Sequence, residues 1–243
     1  MSVHPCRSAE WDSEFFGVSI GRVESKRLTL DLLAEIDAWA AREKVDCLYF
    51  LCDPTCASSA RLAEDAGFRL VDVRVTLDLP PDAPRPGSHP VIRAARTDDA
   101  EILANIASSA HTDSRFFFDP GFPETRCRDL YDAWIRRSMD GWADAVMVAD
   151  LGDGPLGYIT CHRDDQGRGS IGLIGVSDHA QGQGLGRQLV AAARSWFIAQ
   201  GAESVTVVTQ GRNLRAQRLY HRAGFLPCAV GLWFHRWHDR TGD

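Results

Sequence analysis

Three glycines alternate with other residues where an apolar strand is expected to turn into an amphipathic helix. The segment comprises Gln181, Gly182, Gln183, Gly184, Leu185 and Gly186. It follows the apolar, β-compatible residues 170–176, and apolar residues recur at helical spacing after it. The first turn of a helix leaves backbone N–H groups without partners, and the helix dipole adds positive charge there. Because glycines let an anion approach these groups closely, the segment predicts a pyrophosphate-binding site.

The spacing of these glycines differs from two common phosphate-binding loops. A dinucleotide-binding loop reads G-x-G-x-x-G and is followed by an acidic residue about 20 positions later. Here the next strand ends in Thr209, Gln210 and Gly211 instead. A Walker loop requires Gly-Lys-Ser/Thr, which the segment lacks. A flexible glycine turn without a ligand is the simple alternative.

A second motif follows the apolar, β-branched residues 205–209. It consists of Asn213, Ala216, Leu219, Tyr220, Gly224 and Phe225, with Gly224 in the usual position of a helix C-cap. Together with Val176 and the glycine loop, this motif resembles the signatures of the GCN5-related N-acetyltransferases. The resemblance implies a mixed α/β fold in which acetyl-CoA, as co-substrate, lies between two strands that splay apart. It also implies direct acyl transfer to an amine.

The same resemblance implies roles for individual residues. The expected acetyl-CoA contacts are Val176, Gln181, Gly182, Gln183, Gly184, Leu185, Gly186 and Asn213, and Arg187 is expected to meet a phosphate. The N–H near Val176 would hold the thioester carbonyl. The hydroxyl of Tyr220 would protonate the departing thiolate. An ordinary position on a helix face is the alternative for Tyr220.

The composition favours a soluble, cytoplasmic enzyme. The chain has 243 residues, of which 44% are hydrophobic, and a net charge of −6, which argues against a nucleic-acid partner. No apolar run approaches the roughly 20 residues that span a bilayer, and residues 1–5 show no signal-peptide pattern. The seven cysteines lack the paired spacing of a zinc site, so we expect reduced, structural thiols and no bound metal.

Proline-rich residues 80–90 are expected to form a linker between residues 1–79 and a catalytic domain at residues 91–243. Residues 59–68 align with residues 216–225, which places Ala63 on Tyr220. The N-terminal part is therefore expected to be an incomplete acetyltransferase-like half, without the glycine loop and the tyrosine. Chance similarity of two amphipathic helices that end in Gly-Phe is the alternative.

Residues 111–123 are the candidate acceptor-binding segment. They include four phenylalanines in a loop bounded by proline and glycine, together with charged side chains. Rings could stack on a nucleotide base, an arginine could pair with a diphosphate, and acids could bind hydroxyls. The candidate residues are His111, Asp113, Arg115, Phe116, Phe118 and Asp119. An apolar lid over the first helix of the catalytic domain is the alternative.

Three segments together resemble a narrower family, the dTDP-fucosamine N-acetyltransferases. They are residues 11–17, residues 114–123 and residues 130–135, so the resemblance extends over both parts of the chain. It implies a nucleotide-sugar partner, with the 4-amino group of a dTDP-4-amino-4,6-dideoxy sugar as the acetyl acceptor in polysaccharide biosynthesis. The sugar itself follows from the resemblance alone.

Several points stay open in the sequence. The strand before the glycine loop has no carboxylate, so the proton acceptor is a water relay, His111 or Asp113. The acceptor is alternatively a polyamine, an antibiotic or a protein amine, and the chain is alternatively a non-catalytic acyl-CoA sensor. The aromatic residues 232–237 serve either the core or a homodimer contact.

Overall fold

The computed structural model describes residues 4–80, 83–84 and 86–238, and one ten-stranded sheet with helices on both faces forms its centre. The strands are β1 (Cys6–Ser8), β2 (Ile20–Val23), β3 (Cys47–Cys52), β4 (Arg69–Asp78), β5 (Ile92–Ala94), β6 (Ala145–Asp150), β7 (Pro155–Arg163), β8 (Gly169–Val176), β9 (Val205–Gln210) and β10 (Leu226–Trp237). Their spatial order is β1-β2-β3-β10-β4-β9-β8-β7-β6-β5. The sheet mixes parallel and antiparallel pairs, which confirms the predicted fold class.

Eight α-helices among the described residues cover the sheet. They are α1 (Glu10–Phe16), α2 (Leu30–Arg42), α3 (Ala57–Asp65), α4 (Ala100–Ala110), α5 (Arg115–Phe118), α6 (Glu124–Arg137), α7 (Leu185–Ala199) and α8 (Leu214–Arg222). α1, α4, α5 and α6 pack their apolar residues into one cluster on one face. On the other face, α7 and α8 share a second cluster, and α2 and α3 share a third. No helix among the described residues is long and apolar enough to cross a bilayer.

The two parts of the chain repeat one unit of structure. β1, β2, α2, β3, α3 and β4 follow the same order and strand directions as β7, β8, α7, β9, α8 and β10. In both units the first two strands pair antiparallel, and the second and third pair parallel. The N-terminal part thus contains more of the unit than the sequence predicted, because β2, its loop and α2 correspond to β8, the glycine loop and α7.

The final strands of the two units are interleaved. β10 lies between β3 and β4, and β4 lies between β10 and β9. Trp233 and Phe234 of β10 are buried on opposite faces, so the aromatic residues 232–237 belong to the core. Because both parts share one sheet, the division at residue 80 into two domains stays a prediction.

The N-terminal counterpart of the glycine loop is closed by its own side chains. Thr29 caps α2 by accepting a hydrogen bond from the amide of Leu32. The buried hydroxyl of Ser59 accepts from the amide of Leu28 at 2.8 Å and donates to its carbonyl at 3.2 Å. Leu28 is itself 5% exposed. These contacts engage two of the amides at the start of α2, those of Leu28 and Leu32.

The described residues of the 80–90 segment form no helix or strand and lie against α7. Arg194 donates a hydrogen bond to the carbonyl of Pro84, and the ring of His89 contacts the hydroxyl of Ser195 at 3.2 Å. Pro81, Asp82 and Arg85, which belong to the predicted linker, lie outside the described residues, as do residues 1–3.

Candidate active site

β8 and β9 pair over only part of their length. The parallel register joins Gly169 to Val205, Ser170 to Thr206 and Ile171 to Val207, and then the pairing ends. The strands continue to Val176 and Gln210 without a shared ladder. The backbone edges inside this fork are therefore available to an extended ligand that lies between the strands.

An irregularity in β8 coincides with the start of the fork. The register with β7 shifts between Ile159 and Cys161, and the displaced amide of Leu173 donates to the hydroxyl of Thr160 at 2.8 Å. A β-bulge of this kind redirects the backbone next to it. The carbonyls and amides of β8 beyond the bulge are thereby turned away from the regular ladder.

The glycine loop presents free backbone amides at the N-terminus of α7. Gly182 and Gly184 have φ values of +81° and +80°, which side chains rarely adopt, and the space that a Cβ would enter there is open. Within the described part of the chain, the amides of residues 182–186 have no hydrogen-bond acceptor. The side chain of Leu185 is buried, so this residue offers only its backbone, whereas Arg187 is exposed. This arrangement suits a pyrophosphate.

The side chains of the two glutamines are held within the loop. Gln181 donates to the carbonyl of Val176 at 3.3 Å and to Asp178 at 2.8 Å, and its oxygen accepts from Arg215 at 2.8 Å. Gln183 donates to the carbonyl of His179 at 3.4 Å. These contacts fix the loop relative to the end of β8 and to α8.

Asn213 caps the helix that carries the candidate acid. Its side-chain oxygen accepts from the amide of Ala216 at 2.9 Å, which satisfies one free donor of the first turn. Tyr220 lies further along α8, is 3% exposed and packs against Phe225. Burial raises its pKa, so the hydroxyl is protonated at neutral pH and can donate a proton.

α8 lies beside the beginning of α7. A Cβ at Gly186 would be 3.4 Å from the side chain of Leu219, the neighbour of Tyr220. The structure therefore brings the two sequence motifs together on one side of the fork. A Cβ at this distance would be in ordinary van der Waals contact with Leu219, so α7 and α8 approach each other closely at the sixth position of the loop.

The candidate acceptor-binding residues lie on the opposite face of the sheet, and they have different surroundings. His111 is stacked on Tyr131 and hydrogen-bonded to the hydroxyl of Tyr158 at 2.8 Å. Burial lowers its pKa to about 4, so the ring is neutral at pH 7. Phe118 is 56% exposed under the guanidinium of Arg212, and Asp113 is half-buried.

Two of the candidates are unavailable to a ligand, which revises the expectation from the sequence. Phe116 is 3% exposed and packs with the rings of Phe16 and Phe122. Asp119 is 4% exposed, and its oxygens accept from the amide of Gly121, from Trp237 and from His235. Both side chains position the segment instead of contacting an acceptor.

Asp72 of β4 is a further candidate site residue, which no sequence pattern indicates. It is 4% exposed, its Oδ1 has no hydrogen-bond partner among the described residues, and its register partner is Trp233. Burial raises its pKa to about 6, although the nearby charges of Arg212 and Arg115 oppose this shift. The sequence held no signal for Asp72, because it belongs to the N-terminal part and reaches the site only through the interleaved strands.

Comparison with known proteins identifies the family. The family model for the Acetyltransferase (GNAT) family matches residues 107–225, which include the fork, the glycine loop and α8. The chain belongs to the GNAT family. Its members use acetyl-CoA as co-substrate, so the predictions of the family, of the enzyme class and of acetyl-CoA are confirmed at this level.

Three relatives illustrate the range of similarity. The dTDP-fucosamine acetyltransferase of Escherichia coli is 28% identical over 93% of this chain and 95% of its own length. The spore coat polysaccharide biosynthesis protein SpsD of Bacillus subtilis is 29% identical over 57% of this chain. The mycothiol acetyltransferase of Beutenbergia cavernae is 37% identical over 44% of this chain. The matches to the last two span only 48% and 37% of those proteins.

The fold as a whole matches solved GNAT structures. A GCN5-related N-acetyltransferase from Sphaerobacter thermophilus superposes with a TM-score of 0.63 at 18% identity, over 90% of this chain and 72% of that one. At 18% identity, this structural similarity supports the assignment of the fold only. It shows that both parts of the chain, including residues before the family match, are built as in that protein.

Proposed function

We propose that this protein transfers the acetyl group of acetyl-CoA directly to a primary amine. The observation that carries the proposal is the fork between β8 and β9, which opens beside the free amides of residues 182–186. An extended cofactor with a pyrophosphate requires both features together. A flexible glycine turn alone would require neither.

Different residues of the chain bind the cofactor and supply the proton in this reaction. The amides of the glycine loop hold the pyrophosphate, with Arg187 at its exposed side. The backbone near Val176 holds the thioester carbonyl and stabilises negative charge there. Tyr220, which is protonated at neutral pH, donates its proton to the departing thiolate. A sensor that only binds acyl-CoA would have no need of this hydroxyl.

Asp72 is our proposed acceptor for the proton of the attacking amine. It lies on the acceptor face, is buried without a partner for Oδ1, and has its pKa raised to about 6 by burial. A base is most effective when its pKa is near the working pH. His111 is less suited, because burial lowers its pKa to about 4 and its ring nitrogen is bonded to Tyr158.

The proposed acceptor is the 4-amino group of a dTDP-4-amino-4,6-dideoxy sugar, for polysaccharide biosynthesis in the cytoplasm. Support comes from the similarity over nearly the whole chain to a dTDP-fucosamine acetyltransferase, and from the cationic, aromatic surroundings of Arg115. A second candidate is the acceptor of the mycothiol acetyltransferases, since one of these is 26% identical over 96% of this chain. A homodimer stays a proposal without support from contacts.

The test is acetyl-CoA-dependent thiol release with a panel of amines. The panel contains dTDP-4-amino-4,6-dideoxy sugars of both C4 configurations, the acceptor of the mycothiol acetyltransferases, spermidine and a lysine peptide. Turnover confined to one nucleotide sugar would support the proposal and define the C4 configuration. Turnover only with another amine would support acetyl transfer but reject the nucleotide sugar as the acceptor. Acetyl-CoA binding without any turnover would favour a sensor.

A further inference from the structure

Two arginines lie over the indole ring of Trp233 on the acceptor face of the sheet, and a third projects from the same face. The guanidinium of Arg115 lies 4.5 Å from the ring centre, and that of Arg22 lies 5.3 Å from it. Arg74 is paired with Gly231 in the β4–β10 register, and Gly231 lies two residues before Trp233 on β10. The side chain of Arg74 therefore projects from the same face of the sheet as that of Trp233. The three side chains come from β2, β4 and α5, which are far apart in the sequence.

This group of arginines, which we call the arginine cluster, carries excess positive charge. Arg22 and Arg74 are half-buried, and within the described residues neither has a carboxylate within 4.0 Å. Glu24, near Arg22, is bound to Arg7 at 2.6 Å, and Asp12 lies 4.0 Å from Arg115. The pKa of Arg22 and that of Arg74 are lowered by burial and by the positive charge of Arg115. Half-buried cations without counter-ions are costly unless a ligand neutralises them.

Arg115 is held in place by a chain of buried groups. Its guanidinium lies between the rings of Tyr49 and Phe116, at 4.2 and 4.3 Å, and donates to Nε2 of His235 at 2.8 Å. An arginine only donates, so Nε2 must accept, and Nδ1 of His235 must donate to Asp119 at 2.6 Å. Burial lowers the pKa of His235 to about 4, which keeps this ring neutral. The guanidinium is thus oriented before any ligand arrives.

We propose that the arginine cluster of Arg22, Arg74 and Arg115 binds the diphosphate of the acceptor substrate. Guanidinium groups match phosphate oxygens in geometry and charge, and the ring of Trp233 supports two of them, those of Arg22 and Arg115. An acceptor without an anionic group would leave Arg22 and Arg74 without a carboxylate or phosphate partner. The inference rests on the proposed acetyl transfer, and it narrows the acceptors to amines that carry phosphate groups.

Binding of dTDP and of inorganic pyrophosphate to the full chain tests this site. Titration calorimetry is carried out with the protein saturated with CoA, so that the glycine loop is already occupied. The variants are Arg22→Gln and Arg74→Gln, and the matched control is Arg61→Gln. Arg61 is exposed on α3, on the opposite face, and loses the same charge. The dissociation constant of acetyl-CoA is measured for all four proteins as a check on folding and on the cofactor site.

We expect dTDP to bind the CoA-saturated protein, and each cluster variant to weaken this binding about tenfold or more, as expected for a charged hydrogen bond. Arg61→Gln and acetyl-CoA binding should be unchanged. Absence of dTDP binding, or equal binding by all variants, would overturn the inference. If dTDP binding failed in this way but the protein acetylated an amine without phosphate groups, the proposed acetyl transfer would still stand. Binding of dTDP without turnover of any amine would instead reject the proposed function and keep the anion site.

Discussion

The side-chain oxygen of Gln181 lies 2.8 Å from Nη1 of Arg215, so the loop before α7 and the first turn of α8 are joined by a side-chain bridge. Gln181 also holds the last carbonyl of β8. A single residue therefore connects the end of the fork, the proposed pyrophosphate site and the helix of Tyr220. Their relative positions are set by this contact and by the packing of Leu219 against Gly186.

Replacing Gly184 by valine should raise the dissociation constant of acetyl-CoA. Valine is strained at φ +80°, and its side chain would enter the open space that we assign to the phosphates. Gly201→Val is a matched control, because Gly201 follows the other end of α7 at φ +68° with equally open surroundings. Calorimetry should show weaker binding for the first variant only, while both melt earlier. Normal binding by Gly184→Val would mean that the pyrophosphate lies elsewhere.

Tyr220→Phe should lower turnover about 10²- to 10⁴-fold, the usual contribution of a general acid. The variant retains the ring that packs on Phe225, so the fold and acetyl-CoA affinity should be preserved. Steady-state kinetics and calorimetry on the same preparation separate the two effects. A variant with full activity would remove Tyr220 from the mechanism.

Asp72→Asn should change how stability depends on pH. Burial raises the pKa of Asp72 from 3.8 to about 6, so the folded state favours the protonated acid. Its stabilising contribution is complete below pH 4 and is lost as the pH rises through 6. The asparagine variant should therefore gain up to about 3 kcal/mol of unfolding free energy relative to the parent at pH 7, and nothing at pH 3.

The same variant tests the proposed role of Asp72 as proton acceptor. Asparagine has nearly the same shape but cannot take a proton, so turnover at pH 7 should fall at least 100-fold. The acidic limb of the pH–rate profile near pH 6 should disappear with it. If the variant were more stable but its turnover were unchanged, Asp72 would have no role as proton acceptor. Water or Asp113 would then be the candidate base.

Cys56 should react with iodoacetamide before the other thiols. Hydrogen bonds from Ser58 and Ser59 lower its pKa to about 7, and the residue is half-exposed at the start of α3. Cys228 is the matched comparison, because it is more exposed but its pKa is raised by partial burial. Mass spectrometry of peptides after short labelling at pH 7 gives both rates. Faster labelling of Cys228 would show that exposure decides reactivity here.

The parts of the site that are local in sequence could be predicted from it. The glycine loop and the Asn213–Tyr220 spacing each lie within one strand–helix junction, where turn and cap chemistry is decided by neighbouring residues. Arg115 was identified by its residue type, but its partners were not. His235 lies 120 positions away, and β10 brings it to Arg115 by pairing with β3 and β4.

The misjudged residues share one cause. Phe116 and Asp119 are of residue types that often bind ligands. Both are buried by contacts with α1 and β10, and the sequence around them does not predict these contacts. No sequence pattern indicates the proposed roles of Arg22, Arg74 and Asp72 for the same reason, since each lies in the part of the chain that lacks the family motifs. Contacts between distant strands decide both outcomes.

The interleaving of β4 and β10 makes the two repeated units dependent on each other during folding. If residues 1–79 were produced alone, β3 and β4 would lack β10, the strand that pairs with both of them. Residues 91–243 alone would lack β4, the strand that lies between β9 and β10. Such exposed edges recruit other chains. Many native contacts also join residues far apart in the chain, which slows folding. Each repeated unit therefore depends on the final strand of the other to complete its part of the sheet.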